Sequence, residues 1–152
     1  MREIQRILFP VDFSDHCGHA AEYTIEMANR FGAQIYAIHV LEPIILPPFP
    51  GESLPESFVF EREERAKREL KQWITKILTP ISGIESALLQ GSPSIEIIRY
   101  AQGQGIDLIV MGTHGRTGLA HALIGSVAEK VVRKAPCPVL TVCPEVREFK
   151  MP

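Results

Sequence analysis

The sequence predicts a doubly wound α/β domain, a five-stranded parallel sheet with helices on both faces. Three observations predict it. Short apolar runs alternate with helical periodicities along the whole chain. The run Asp107-Leu108-Ile109-Val110-Met111-Gly112 is nearly all apolar, as a strand covered on both faces must be. The 152 residues, 45% hydrophobic and 22% charged, suit one globular domain spanning 1–152 with a core large enough to stand without staples.

The elements follow in order. Arg6 to Asp12 is a short apolar run ending in a polar turn, the mark of a buried strand, and Ser14 can cap a following helix. From Ala20 to Phe31 the apolar residues fit one helical face roughly, and Gly32 can end that helix. Ala33 to Leu41 reads as the second strand. Pro43 to Ser57 holds five prolines and reads as an irregular loop. Phe58 to Leu78 is the clearest helix, with Ala66, Leu70, Trp73, Ile74, Ile77 and Leu78 in one apolar stripe. Its charges pair at i,i+4 as Glu61 with Arg65, Glu63 with Lys67 and Glu64 with Arg68, a solvated face. Ile84 to Gln90 is the third strand. Ser92 and Pro93 open a helix whose apolar positions, Ile95, Ile98 and Tyr100-Ala101, come before Gly103. The fourth strand is Asp107 to Gly112, the last helix Gly125 to Lys134, and the fifth strand Val139 to Val142. Pro138 and Pro144 bracket that strand and suggest an edge position. In such sheets the ligand site lies beyond the carboxyl ends of the strands, where the strand order reverses.

Composition removes several functions. The net charge of -2 argues against nucleic acid as partner, which needs a dense Lys/Arg face. No apolar stretch reaches the ~18 residues of a membrane span. The start, MREIQRILFPVDFSD, lacks the form of a signal peptide. Cys17, Cys137 and Cys143 are too few for a disulfide framework. The expectation is a cytoplasmic protein with reduced thiols.

The informative stretch is Met111-Gly112-Thr113-His114-Gly115-Arg116-Thr117-Gly118, followed by Gly125-Ser126-Val127 at the start of the last helix. Gly112 and Gly115 let the backbone turn and approach a ligand closely. The helix start at Gly125-Ser126 offers free N–H groups and a positive dipole end to a phosphate. Thr113 and Ser126 add hydroxyls, and Arg116 adds a planar cation. Strand, glycine turn and helix start together describe an anion cradle. There is no G-x-x-x-x-G-K-[ST], and no G-x-G-x-x-G follows the first strand, which disfavours a Walker-type NTPase and a standard dinucleotide enzyme.

Gly112-x2-Gly115-x9-Gly125-Ser126, set between an apolar strand and a final Pro-Val-Leu-Thr-Val strand, resembles the ATP-binding signature of universal stress proteins. The opening Ile7-Leu8-Phe9-Pro10-Val11-Asp12-Phe13-Ser14 is similar to that family's first strand and turn, so the likeness covers nearly the whole chain. It implies a flavodoxin-like or adenine nucleotide alpha hydrolase-like domain, usually a homodimer. It also implies that Pro10, Val11, Asp12 and Val40 line an adenine and ribose pocket. Met111, Gly112 and Gly115 would form its floor, and Arg116, Gly125, Ser126 and Val127 its phosphate side. The implied ligand is ATP, with Mg or Mn held by its phosphates. The long proline-rich loop after the second strand departs from the family pattern.

Other constellations weigh less. Asp15, His16, Cys17 and His19 hold four metal-ligand types in one turn, but a zinc site needs a second ligand pair elsewhere, so no metal centre is expected. His114 can contact phosphate or act as a base, though a surface loop histidine is the commoner case. His39 reads as a core or pocket-edge histidine. Cys137 and Cys143 read as small apolar residues or interface contacts. Phosphoryl transfer wants a metal carboxylate, a base and a cationic clamp; Arg116 and Asp12 alone do not make that set. The expected function is therefore an adenine-nucleotide-binding stress-response sensor or regulator. It would act as a homodimer through Val139 to Val142, since an unprotected edge strand invites a second strand. Two alternatives stand beside it, a slow ATPase or nucleotidyl transferase and a ligand-free interaction module.

Overall fold

The computed structural model describes residues 3–45, 53–79, 81–114 and 124–143. The strands are β1 (Arg6–Pro10), β2 (Gln34–Leu41), β3 (Glu85–Gln90), β4 (Leu108–Gly112) and β5 (Val139–Val142). The helices are α1 (Asp15–Phe31), α2 (Glu56–Ile77), α3 (Pro93–Gly103) and α4 (Ser126–Lys134). All strand pairs are parallel, in the order β3-β2-β1-β4-β5. This is the expected doubly wound sheet, and the order refines it. Flavodoxin itself is ordered 2-1-3-4-5, with its reversal between β1 and β3. Here the reversal lies between β1 and β4.

Alternation along the central strands sends side chains into two cores. Ile7 and Phe9 of β1, Ile35 and Ala37 of β2, and Leu108 and Val110 of β4 pack with α1 and α2. Leu8, Tyr36, Ile38, Ile109 and Met111 pack on the other face with α3 and α4. That is why these strands read as continuous apolar runs rather than as alternating ones. Phe9 stacks on Trp73 of α2 with ring centroids 5.7 Å apart, anchoring the long helix to the sheet centre.

Several boundaries differ from the sequence reading. α1 begins at Asp15 rather than at Ala20, because Ser14 caps it. The Ser14 Oγ accepts from the Cys17 N–H at 3.2 Å. At the other end Gly32, at φ 63°, takes the left-handed turn that stops the helix. α2 begins at Glu56, inside the stretch that reads as loop. On α2, Lys67 does pair with Glu63 at 2.9 Å, but it also takes Glu64 at 3.0 Å, and Arg65 turns to Glu69 at 3.1 Å. Exposed pairs of this kind are interchangeable and worth only tenths of a kcal/mol each. Ser92 occupies the cap position of α3 without a side-chain hydrogen bond. β5 is an edge strand, as its prolines suggest, and β3 is the other edge. Among the described residues no helix is long and apolar enough to cross a membrane.

Candidate functional site

At the carboxyl end of β1 the chain makes an unusual turn. Val11 N donates to the Ile38 carbonyl at 2.7 Å, and the Val11 carbonyl accepts from His39 Nδ1 at 2.7 Å, so β1 stays tied to β2 beyond its last ladder residue. Phe13 then takes φ 64°, a conformation that costs a non-glycine residue about 1 kcal/mol. Its ring lies 4.4 Å from that of His39. Asp12 Oδ1 accepts from both the backbone N and the Oγ of Ser14, at 2.9 and 2.6 Å. Asp12 and Ser14 thus form one hydrogen-bonded unit leading into α1.

The carboxyl end of β4 lies beside it. Thr113 N donates to the Val142 carbonyl at 2.9 Å, and the Thr113 carbonyl accepts from Gly125 N at 2.6 Å. The second bond returns the chain to the tip of β4 just as α4 starts. Gly125 sits at φ -72° and ψ 155° and makes no side-chain cap. The first N–H groups of α4 have no acceptor inside the helix, and they open toward the space between the two strand tips.

That space is a cleft of about 400 Å³. Pro10, Val11 and Asp12 form one wall, and Val40 stands at the end of β2. Met111 and Gly112 line it from β4, and Gly125, Ser126 and Val127 from the start of α4. These nine are brought together at the β1–β4 reversal. The other two sequence-predicted residues, Gly115 and Arg116, lie outside the described residues, as does most of the proline-rich loop.

The cleft also contains residues outside that set of eleven. His39, expected at the core or the pocket edge, is buried and does both. Thr113, buried, and His114 line it, with Thr113 Oγ1 2.9 Å from His114 Nδ1. Cys17 points inward to the Pro10 carbonyl, at 3.8 Å. Burial, helped by the Asp12 charge, pushes its thiol up to about 12. It is therefore an inert protonated lining group rather than a nucleophile or a ready metal ligand. Arg62 of α2 lines the far end beside Glu42. Its signal is in the sequence: it stands four residues before Ala66 and eight before Leu70, on the stripe that faces the core. No group of three or more His, Cys, Asp and Glu side chains is placed to hold a metal among the described residues.

Chemically the cleft can take an elongated anionic ligand. Its helix start and Ser126 suit an anion, and its apolar walls from Val11, Val40, Met111 and Val127 suit a flat ring. Comparison with known proteins agrees with this reading of the fold. The sequence profile of the universal stress protein family matches residues 3–142. A universal stress protein of Methanocaldococcus jannaschii is 39% identical over 145 residues, covering 91% of this chain and 81% of the relative. Among solved structures, the universal stress protein UspA from Lactobacillus plantarum superposes with a TM-score of 0.76 at 25% identity, over 93% of this chain and 99% of that one. A universal stress protein from Archaeoglobus fulgidus, solved in complex with dAMP, shares the fold with a TM-score of 0.59 at 23% identity, over 92% of this chain and 98% of that one.

Proposed function

This chain belongs to the universal stress protein family, and from that premise we propose that it binds an adenine nucleotide, ATP foremost, in the cleft between β1 and β4 and acts as a homodimeric regulator. One observation carries the reading. Gly125 has backbone angles that any residue can adopt, so its missing side chain serves space rather than conformation. The space lies where the start of α4 opens into the cleft, which suits phosphates drawn to free N–H groups and a positive dipole end. The base then falls toward β2, about two strand spacings or ~10 Å away, against Val11 and Val40. Gly115 and Arg116 would complete the phosphate side. Any Mg or Mn would ride on the phosphates, since Asp12 already serves Ser14.

Calorimetry with ATP tests this. Gly125→Val places a branched side chain in the phosphate space and should weaken ATP at least ~10-fold, about 1.4 kcal/mol. A folded variant with unchanged affinity overturns the site. Steady-state phosphate release near ~10 per second, an ordinary enzyme rate, would overturn the regulatory reading in favour of an enzyme.

The dimer reading rests on β5. The Pro138 and Val142 carbonyls face β4, accepting from Ile109 and Thr113. The N–H and C=O groups of Val139 and Thr141 therefore face the open edge. Val142 is already buried in its own core, so it is Thr141 whose backbone meets a second copy. Light scattering should give about twice the 17.0 kDa chain mass. Thr141→Pro, which removes an outward donor, should shift it toward monomer; a wild-type monomer at micromolar concentration overturns this.

A further inference from the structure

Arg62 is a cation where the fold expects a hydrophobe. On α2 it continues the stripe of Ala66 and Leu70, both buried, and is itself partly buried. Glu63 and Glu64 pair with Lys67, and Arg65 pairs with Glu69. Among the described residues no carboxylate lies within ion-pair distance of Arg62. Among the described residues its side chain makes one hydrogen bond, from Nη2 to the Glu42 carbonyl at 2.7 Å, just past the end of β2. Among the described residues lining the cleft it is also the one Lys or Arg. Beyond it lies a smaller apolar cavity of about 160 Å³, walled by Leu41, Pro43, Ile44, Leu54 and Val59. Arg62 lines both spaces, so it stands as the partition at the end of the cleft opposite α4.

A half-buried cation without a carboxylate is unfavourable unless something else faces it. The phosphates, on the reading above, sit at the other end, so the group facing Arg62 is the base. A guanidinium is planar, weakly hydrated and stacks on flat rings. With Nη2 anchored on the Glu42 carbonyl, the guanidinium is tethered at this end of the cleft.

We propose that Arg62 is the base-recognition residue of this chain, its anchored guanidinium stacking on the purine at the β2 end of the cleft. The inference rests on the nucleotide-binding reading and deepens it. A purine offers more ring area than a pyrimidine, so the residue favours ATP over UTP.

Titration calorimetry and competition with ATP and UTP test this on the wild type, Arg62→Ala, Arg62→Lys and Arg62→Gln. Arg62→Ala should lower ATP affinity about 5-fold, the size of a partly desolvated cation–π contact, and UTP affinity by clearly less, so that the preference for ATP narrows. Arg62→Lys, which keeps the charge and loses the plane, should not restore it. Equal losses for both nucleotides, rescued by Lys, would make Arg62 a phosphate contact and overturn the proposal. Arg62→Gln keeps an amide donor for the Glu42 carbonyl, so the question stays answerable if the alanine variant unfolds. Unchanged ATP affinity in either folded variant overturns the role of Arg62 and leaves the nucleotide site standing. Failure of the wild type to bind ATP overturns both.

Discussion

The same strands end in opposite ways. At the amino end of β1, Asp107 Oδ2 accepts from the backbone N–H groups of Gln5 and Arg6, both at 3.0 Å, and Arg6 Nη1 donates to the Gln104 carbonyl at 2.9 Å. The groups that could be left over are tied to one another, and φ 59° there falls to a glycine, Gly105. At the carboxyl end of β1 the positive φ falls to Phe13, a histidine and a threonine are buried, and two glycines line an open cleft. A built-in Cβ at Gly112 would only make ordinary contact with the His114 and His16 carbonyls, at 3.4 and 3.5 Å. Gly112 is not demanded by its own surroundings, and Gly125 is not demanded by its backbone angles. The difference teaches where stability was set aside: strain, buried polar groups and glycines that their backbone angles do not require gather at one end, and that is the end where such a topology places a ligand.

Two variants can break this contrast. The larger effect is expected at the closed end. Asp107→Ala removes two hydrogen bonds to a charged acceptor and should lower the unfolding free energy by about 2 kcal/mol, with ATP affinity unchanged. Gly125→Val should show the converse. Chemical denaturation and calorimetry on both variants read the pair, and a loss of ATP affinity in Asp107→Ala would show that the two ends are not separate. The smaller effect concerns strain. Phe13→Ala and Phe13→Gly both lose the ring contact with His39, but only alanine keeps the left-handed penalty. The glycine variant should be the more stable of the two by about 1 kcal/mol. Equal stabilities would remove strain from the carboxyl end.

Much of the fold is legible along the chain because it depends on neighbours in sequence. Burial on both faces leaves unbroken apolar runs such as Leu108 to Met111, and α2 shows its stripe at Ala66 and Leu70. The first turn of α1 is not legible in this way. Asp15, His16, Gly18 and His19 carry no helical periodicity, and it is the Ser14 cap and the Asp12–Ser14 hydrogen bonds that start the helix there. The exchange of ion-pair partners on α2 is equally invisible, because several exposed carboxylates lie within reach of each cation at nearly equal energy.

The candidate site divides along the same line. Gly112 and the Gly125-Ser126 pair stand out locally as a strand tip and a helix start, so sequence by itself pointed to them as an anion cradle and determined that the domain is a parallel α/β sheet. It could not place Arg62 or Cys17 in the same cleft. Arg62 reaches it from a helix packed over β2 and β3, and Cys17 from the first turn of α1. Only the tertiary structure decided the β3-β2-β1-β4-β5 order, with its reversal between β1 and β4. Strand order is chosen by how the two helical layers cover the sheet, through contacts between residues far apart in the chain, and no local pattern records it.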